Sequence, residues 1–388
     1  MATSSPASID TGQIVALTSA LVAAPSENPG GTEAAAVAVL ERACRDAGLL
    51  VATHEVAPGR PNLIATLPGG DGPGLMFLGH SDVVPAGGGW TADPYVPRIT
   101  DEVIIGRGAT DMKGGLAAVV AAMASLRGQP LSGPVTLVCT VDEEEHGSGV
   151  RDLVARGGLL GAYAGCVVAE PTDLTVVRGC RGASYLEVDV TGRAAHSGRP
   201  ADGRNAIYAA AAIVAIIRAD HEAMVGAACG LLGSGTWNVG TITGGQGISV
   251  VAPTASLGID RRLMPDETVT EIAEWLRGRI SAAGIDTDGI GVTVRPTMEM
   301  PGFETPADHP LVAAAVDALT AQGAPAPVGG WTAACDGGFV SRDLGIPTVV
   351  CGPGDINTQA HQPDESVRIA DVRTAALAYR SMAQKLLR

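Results

Sequence analysis

Three observations predict that this 388-residue chain adopts an α/β fold with a smaller α+β insert. Up to residue 181, helix-like segments alternate with short apolar runs, the pattern of a sheet with much parallel pairing. From residue 182 the texture changes to strands that alternate apolar and polar residues, interleaved with two helices. After residue 294 the apolar α/β texture returns. The expected architecture is a mixed sheet flanked by helices, built from 1–181 and 295–388 and interrupted by a small ferredoxin-like domain over 182–294.

In chain order, helices fall near 10–24 and 32–48, and short apolar strands at 61–67, 74–79 and 134–141. Met112 to Leu126 reads as a helix entered through a glycine-rich turn. MFLGHSD, TLVCTVDEE and GCVVAEPTD each run apolar and then deliver polar groups, at the strand ends where open α/β sheets bind ligands. In the insert, SYLEVDVTGRAAH alternates as a half-exposed strand and GRNAIYAAAAIVAIIRAD follows as a helix. TWNVGTITGG and ASLGIDRRL are strands, a helix lies near 267–283, and a strand near 289–295 closes the insert. That β-α-β-β-α-β order suits a small antiparallel sheet with two helices on one face. TVVCGPG and a helix from about residue 370 end the chain.

Hydrophobic content of 46% supplies an ample core, and only 3% aromatic residues means that Ala, Val, Leu and Ile build it. A net charge of −15 speaks against nucleic acid or an anionic membrane as partner, since both demand a basic face. The N-terminus lacks the basic-then-apolar pattern of a signal peptide, and no apolar run reaches the length of a bilayer span. The seven cysteines are an odd number without CxxC spacing, which fits buried thiols in a reducing cytoplasm.

Six acid and imidazole side chains, far apart in sequence, read as one metal site: His80 in GHSD, Asp111 in GATDMKGG, Glu143 and Glu144 in VDEEEHGS, Glu170 in VAEPTD and His361 in QAHQPDE. Two divalent ions held by N and O ligands share a bridging hydroxide and need a bridging carboxylate, for which Asp111 is the candidate. His80 and His361 supply imidazoles, and Glu144 and Glu170 supply further carboxylates. Asp82 is placed to accept the second ring N–H of His80 and fix its tautomer. Glu143 is suited to take a proton from water and hand it to a leaving amine. Mixed His and carboxylate ligation suits Zn²⁺, with Co²⁺ or Mn²⁺ as alternatives. In the acidic triplet, Glu144 as base with Glu145 as ligand is a second assignment. His146 reads as a surface residue.

From SENPGGTE to AHQPDESV the chain resembles the di-zinc metallopeptidase family of acetylornithine deacetylase, succinyl-diaminopimelate desuccinylase, aminoacylase-1 and bacterial glutamate carboxypeptidase. The resemblance implies a di-zinc peptidase-like catalytic domain, with His80, Asp111 and Glu170 holding one ion and Asp111, Glu144 and His361 the other. Glu143 is then the base, and the Asp111–Met112 bond is expected to be cis. The insert resembles a lid and dimerisation domain whose histidine, His196 in GRAAHSGRP, reaches the partner's site in a homodimer and stabilises the oxyanion.

Arg262 matches the DxRxxP arginine expected to bind a substrate carboxylate; its other reading is a salt bridge with Asp260. Where the family often has Asn after a double glycine, this chain offers Ser249 as a substrate contact. Gly337 and Gly338 suit either close backbone approach to substrate or a helix entry. The implied reaction is deacylation of a small N-acyl amino acid, acetylornithine-deacetylase-like. Alternatives are a carboxypeptidase or dipeptidase acting on short peptides, an aminopeptidase, and a metal-binding module without catalysis.

Overall fold

A computed structural model describes residues 8–156 and 161–388. The described residues divide into two compact units: one holds those up to Gly179 with Glu304–Gly330 and Asp336–Arg388, the other Cys180–Phe303 with Trp331–Cys335. The second unit therefore runs beyond the 182–294 expected from sequence. Its last strand continues to Met300 through Pro296, where the ladder shifts register opposite Tyr185.

The first unit opens with helices α1 (Thr11–Val22) and α2 (Ala34–Asp46), then strands β1 (Leu50–Ala57), β2 (Arg60–Leu67) and β3 (Gly74–His80). Two short strands, β4 (Arg98–Ile99) and β5 (Val103–Ile105), lead to α3 (Gly114–Ser125), β6 (Val135–Thr140), α4 (Ser148–Ala155), β7 (Tyr163–Val168) and β8 (Val176–Cys180). β1 was not legible as a strand. It is a half-exposed edge paired only with β2, so no buried face imprints a clear pattern on LVATHEVA. In contrast β3 is buried along its whole length, because it lies between β6 and β7 with both neighbours parallel.

The second unit continues with β9 (Gly182–Thr191), α5 (Ala206–Gly226), β10 (Thr236–Gly244), β11 (Thr254–Leu263), α6 (Val269–Ala282) and β12 (Gly291–Met300). Its sheet is antiparallel in the order β10-β11-β9-β12. The alternation seen in sequence is the alternation of burial: Leu186, Val188 and Val190 of β9 point into a core shared with Ile213 and Ile217 of α5 and Leu276 and Ile280 of α6. Each such buried aliphatic side chain contributes about 1.5–3 kcal/mol. Asn205 caps α5 through the amides of Ile207 and Tyr208, and Thr268 caps α6 in a capping box with Glu271.

The chain returns through β13 (Phe303–Glu304), α7 (Pro310–Thr320), β14 (Val328–Trp331), α8 (Gly337–Leu344), β15 (Thr348–Val350), β16 (Ser366–Arg368) and α9 (Ile369–Leu386). The large sheet runs β1-β2-β6-β3-β7-β15-β8-β13, with β14 on β8, and mixes parallel and antiparallel pairs. α9 packs on α3 and α7, and Tyr379 meets Phe77 at 5.1 Å between ring centroids. Gly337 and Gly338 form the first turn of α8 and are buried, which accounts for them as a helix entry. No helix among the described residues is long and apolar enough to cross a membrane.

Candidate metal centre

Register brings the first ligands together. His80 ends β3 opposite Thr140 at the end of β6, and Leu78 of β3 lies opposite Val168 at the end of β7. Two residues past each partner put Asp142 and Glu170 at the same edge, and Glu143 and Glu144 follow directly. Asp111 comes from the turn before α3, where the Asp111–Met112 peptide is cis. Two glycines let that turn seat against the sheet: a Cβ on Gly79 would meet Met112 Cε at 2.5 Å, and one on Gly115 would meet Ala169 O at 2.1 Å. His361 arrives from the loop before β16 with φ of 63°.

Two groups result, His80 with Asp111 and Glu170, and Asp111 with Glu144 and His361. His80 Nε2 lies 3.3 Å from Asp111 Oδ1 and 3.2 Å from Glu170 Oε1. His361 Nε2 lies 3.5 Å from Asp111 Oδ2 and 3.3 Å from Glu144 Oε2. Asp111 thus offers one oxygen to each imidazole, the arrangement a bridging ligand requires. Donor atoms at about 2.0–2.1 Å from a tetrahedral ion stand roughly 3.3 Å from one another, so these spacings fit such an ion in each group. Glu144 Oε1 is buried with no hydrogen-bond partner among the described residues, as expected of an oxygen whose partner is a cation.

The electrostatics agree with that fit. Burial disfavours charge on His80, yet Glu170, Asp111 and Asp82 raise its pKa well above the ordinary imidazole value. His361, against Asp111 and Glu144, is raised to about 10. Asp111 is held far below the carboxylate range by the two imidazoles, against its own burial. Burial raises Glu170 to about 8 and lifts Glu144 in the same direction. So many carboxylates in one dry place are tolerable only with protons or cations between them.

Glu143 reaches the first group, its Oε2 4.0 Å from His80 Nε2, and stands in neither ligand triad. Its carboxyl is raised well above the usual range by burial, with Glu170, Asp336 and Glu144 adding to the effect and His80 opposing it. Glu145 joins neither group and His146 is exposed.

Asp82 meets the second ring nitrogen of His80, chiefly through its backbone. It is the backbone carbonyl of Asp82 that faces His80 Nδ1, at 3.0 Å, while its carboxylate lies 3.5 Å away. That carboxylate also accepts from the amides of Glu143 and Glu144 and from Asn28 Nδ2, so it clamps the acidic turn. Asn28 also donates to Asp142 Oδ1 at 2.9 Å, and Arg60 joins Asp142 to Glu33. Sequence reasoning missed this network although Asn28 lies in SENPGGTE, because an Asn before Pro reads equally well as a turn residue. It also missed Asp336, buried against Thr140 Oγ1 at 2.6 Å and raised to about 7 by burial. The carboxylate of Glu365, within the same AHQPDE segment as His361, was missed too.

The second unit holds His196, Ser249 and Arg262. His196 is exposed at a corner bridged to Val250, and Ser197 N donates to Ser249 O, so these two residues are neighbours. The amide of Gly198 donates to His196 Nδ1 at 3.0 Å, which leaves the ring proton on Nε2. Arg262 makes the alternative contact, a two-point ion pair with Asp260 at 3.1 Å for each bond. It lies near the far end of β11 from Thr254, roughly 25 Å along the strand at about 3.3 Å per residue, so one chain does not group it with His196 and Ser249.

A mixed α/β sheet presenting this centre at its strand ends defines a metal-dependent hydrolase of amide bonds. The chain belongs to peptidase family M20/M25/M40, whose profile matches residues 76–385. It is 31% identical over 327 residues to an acetylornithine deacetylase of Aliivibrio fischeri (strain MJ11), with 83% of each chain covered. It is 31% identical over 390 residues to a succinyl-diaminopimelate desuccinylase of Gluconacetobacter diazotrophicus, with 95% of each covered. The fold is similar to an M20 family metallo-carboxypeptidase from Sulfolobus solfataricus, with a TM-score of 0.80 at 19% identity over 96% of this chain and 99% of that one.

Proposed function

We propose that the chain removes the acyl group from a small N-acyl amino acid, with His80, Asp111 and Glu170 holding one divalent ion and Asp111, Glu144 and His361 a second. The observation that carries this reading is the split of Asp111, one oxygen toward each imidazole, with Glu143 beside the first group. The ions, Zn²⁺ or alternatively Co²⁺ or Mn²⁺, would supply Lewis acidity toward the acyl carbonyl and the attacking water. Glu143 then receives the proton of that water on Oε2 and delivers it to the departing amine. The Asp82 clamp on the Glu143 and Glu144 amides fixes the direction in which the base points.

His196 presents a ring N–H at Nε2 and is proposed as the donor to the developing oxyanion in the active site of a partner subunit. Two features of the second unit support a homodimer through it as lid and dimerisation domain. β10 is an edge strand, paired on one side with β11 and carrying Ile242 at 56% exposure, and α5 displays Tyr208 at 76%. Ser249 would travel with His196. Arg262 would remain to meet a substrate carboxylate once Asp260 yields part of its fork.

Curated relatives named as a deacetylase and a desuccinylase support an N-acyl amino acid over a peptide. The carboxypeptidase-like fold keeps a peptidase as the second reading. A reducing cytoplasm is proposed as the location, since no disulfide joins the seven cysteines and six of them are buried. The test is release of free amine from N-acetyl, N-succinyl and N-formyl amino acids and from dipeptides, with added Zn²⁺ or Co²⁺ and after chelation. Metal-dependent release from N-acyl amino acids alone is expected. Release from dipeptides alone would overturn the deacylase reading in favour of a peptidase.

A further inference from the structure

We propose that Glu365 is a positioning residue that holds His361 in register with Asp111 and so sets the affinity of the second ion. The inference rests on the two-ion reading above. Segments 103–105 and 366–368 pair antiparallel, Ser366 opposite Ile105 and Arg368 opposite Val103. Beyond that pair one backbone bond follows, from Gly106 N to Glu365 O at 2.9 Å, and Thr110 Oγ1 donates to Ser366 O at 2.6 Å; the segments then diverge, one toward Asp111 and the other back toward His361. The Glu365 side chain bridges the gap. It is 1% exposed and accepts four hydrogen bonds. Oε2 takes Arg107 Nη1 at 2.6 Å and Gly108 N at 3.0 Å; Oε1 takes Thr110 N at 2.8 Å and Asp111 N at 3.0 Å.

The simpler role, a counter-ion for Arg107, accounts for one of those four bonds. Arg107 is itself buried and neutralises Glu365 while donating to Ala86 O at 3.2 Å. The other oxygen is committed wholly to the turn that presents Asp111. Four residues upstream, His361 is 51% exposed, whereas His80, its counterpart in the first group, is 2% exposed and fixed at a strand end. The loop that carries His361 is also tied through Gln359 to Ser366 and through Asp364 to Thr91 and Arg98, but Glu365 is its link to the amide of Asp111, so the register of His361 with Asp111 is set by that tether. The first group keeps two ligands, His80 and Glu170, that the tether does not touch.

The experiment titrates metal-free full-length protein with Zn²⁺ by calorimetry, counts bound ions by elemental analysis and records the metal-free melting temperature. Wild type is expected to take up two ions; uptake of fewer overturns the two-ion reading itself, before any variant is compared. Glu365→Asp keeps the charge that pairs with Arg107 but shortens the reach by about 1.5 Å. It is expected to bind the first ion within about threefold of wild type and the second about 10–100-fold more weakly. The double variant Glu365→Gln with Arg107→Met removes the ion pair but keeps an oxygen for the Thr110 and Asp111 amides. It is expected to hold the second ion within about threefold of wild type. Wild-type affinity for the second ion in Glu365→Asp, or equal weakening of both ions, would overturn the proposal.

Discussion

Loading the metal-free protein with Zn²⁺ at pH 7 is expected to expel about three protons per chain. A side chain must surrender its proton before it lends a lone pair to a metal, so uptake counts the protons that the ligands hold beforehand. His361, raised to about 10, and His80, raised well above the imidazole range, each carry a full proton at pH 7. Glu170, at about 8, is roughly nine-tenths protonated there. Asp111 carries none, because its pKa lies far below. The three contributions sum to about three; any proton held by Glu144, which burial also raises, and ionisation of a bound water would add to that number. The sign follows: metal binding consumes the deprotonated forms, so affinity rises with pH. The product of the two association constants should climb by about three decades per pH unit near pH 7. Calorimetry in buffers of different ionisation enthalpy gives the proton count as a slope. A slope near zero or one would refute the reasoning, because the 3.2–3.5 Å contacts between imidazole and carboxylate would then not be proton-bearing.

Three further outcomes are expected. Glu143→Ala should cut turnover by about 10²–10⁴ while elemental analysis still finds two ions, because Glu143 stands in neither triad; loss of an ion would move Glu143 among the ligands. His196→Ala should lower kcat by about 10²–10³ without changing metal content, and an unchanged kcat would remove His196 from the reaction. Asp336 has a folded pKa of about 7, above the ordinary value of 3.8, so its contribution to stability is complete below about pH 4 and is lost as pH rises through 7. Metal-free Asp336→Asn should therefore gain stability relative to metal-free wild type as pH rises from 4 to 7. Parallel denaturation midpoints across that range would show that Asp336 is not protonated in the fold.

The candidate ligands were legible because each sits where a local pattern ends: His80 after the apolar MFLG, Glu170 after CVVA, and Asp111 in a glycine-containing turn. The network behind them was not. Asp82 was read as an orienter of His80, and the fold turns its carboxylate toward the Glu143 and Glu144 amides while its carbonyl faces the ring. Asn28, Asp336 and Glu365 are polar residues in stretches that also suit turns and helix starts. Only burial distinguishes a buried hub from a solvated side chain, and burial is a property of the neighbours. β1 escaped for the same reason: an edge strand with one partner has no buried face to impose alternation.

By itself the sequence determined the two textures, wholly apolar strands for a covered sheet and alternating strands for a half-open one, because side-chain period and burial are local constraints. It also determined which chemical groups were on hand. Tertiary structure decided their pairing. Whether Asp111 bridges depends on angles between a turn, a strand end and a loop that come from distant parts of the chain, and those angles are set by the β3–β6–β7 register and by side chains such as Glu365. Contacts of that range carry no signature in local sequence, since many sequences satisfy the same local pattern and only the packed chain selects which polar atoms meet.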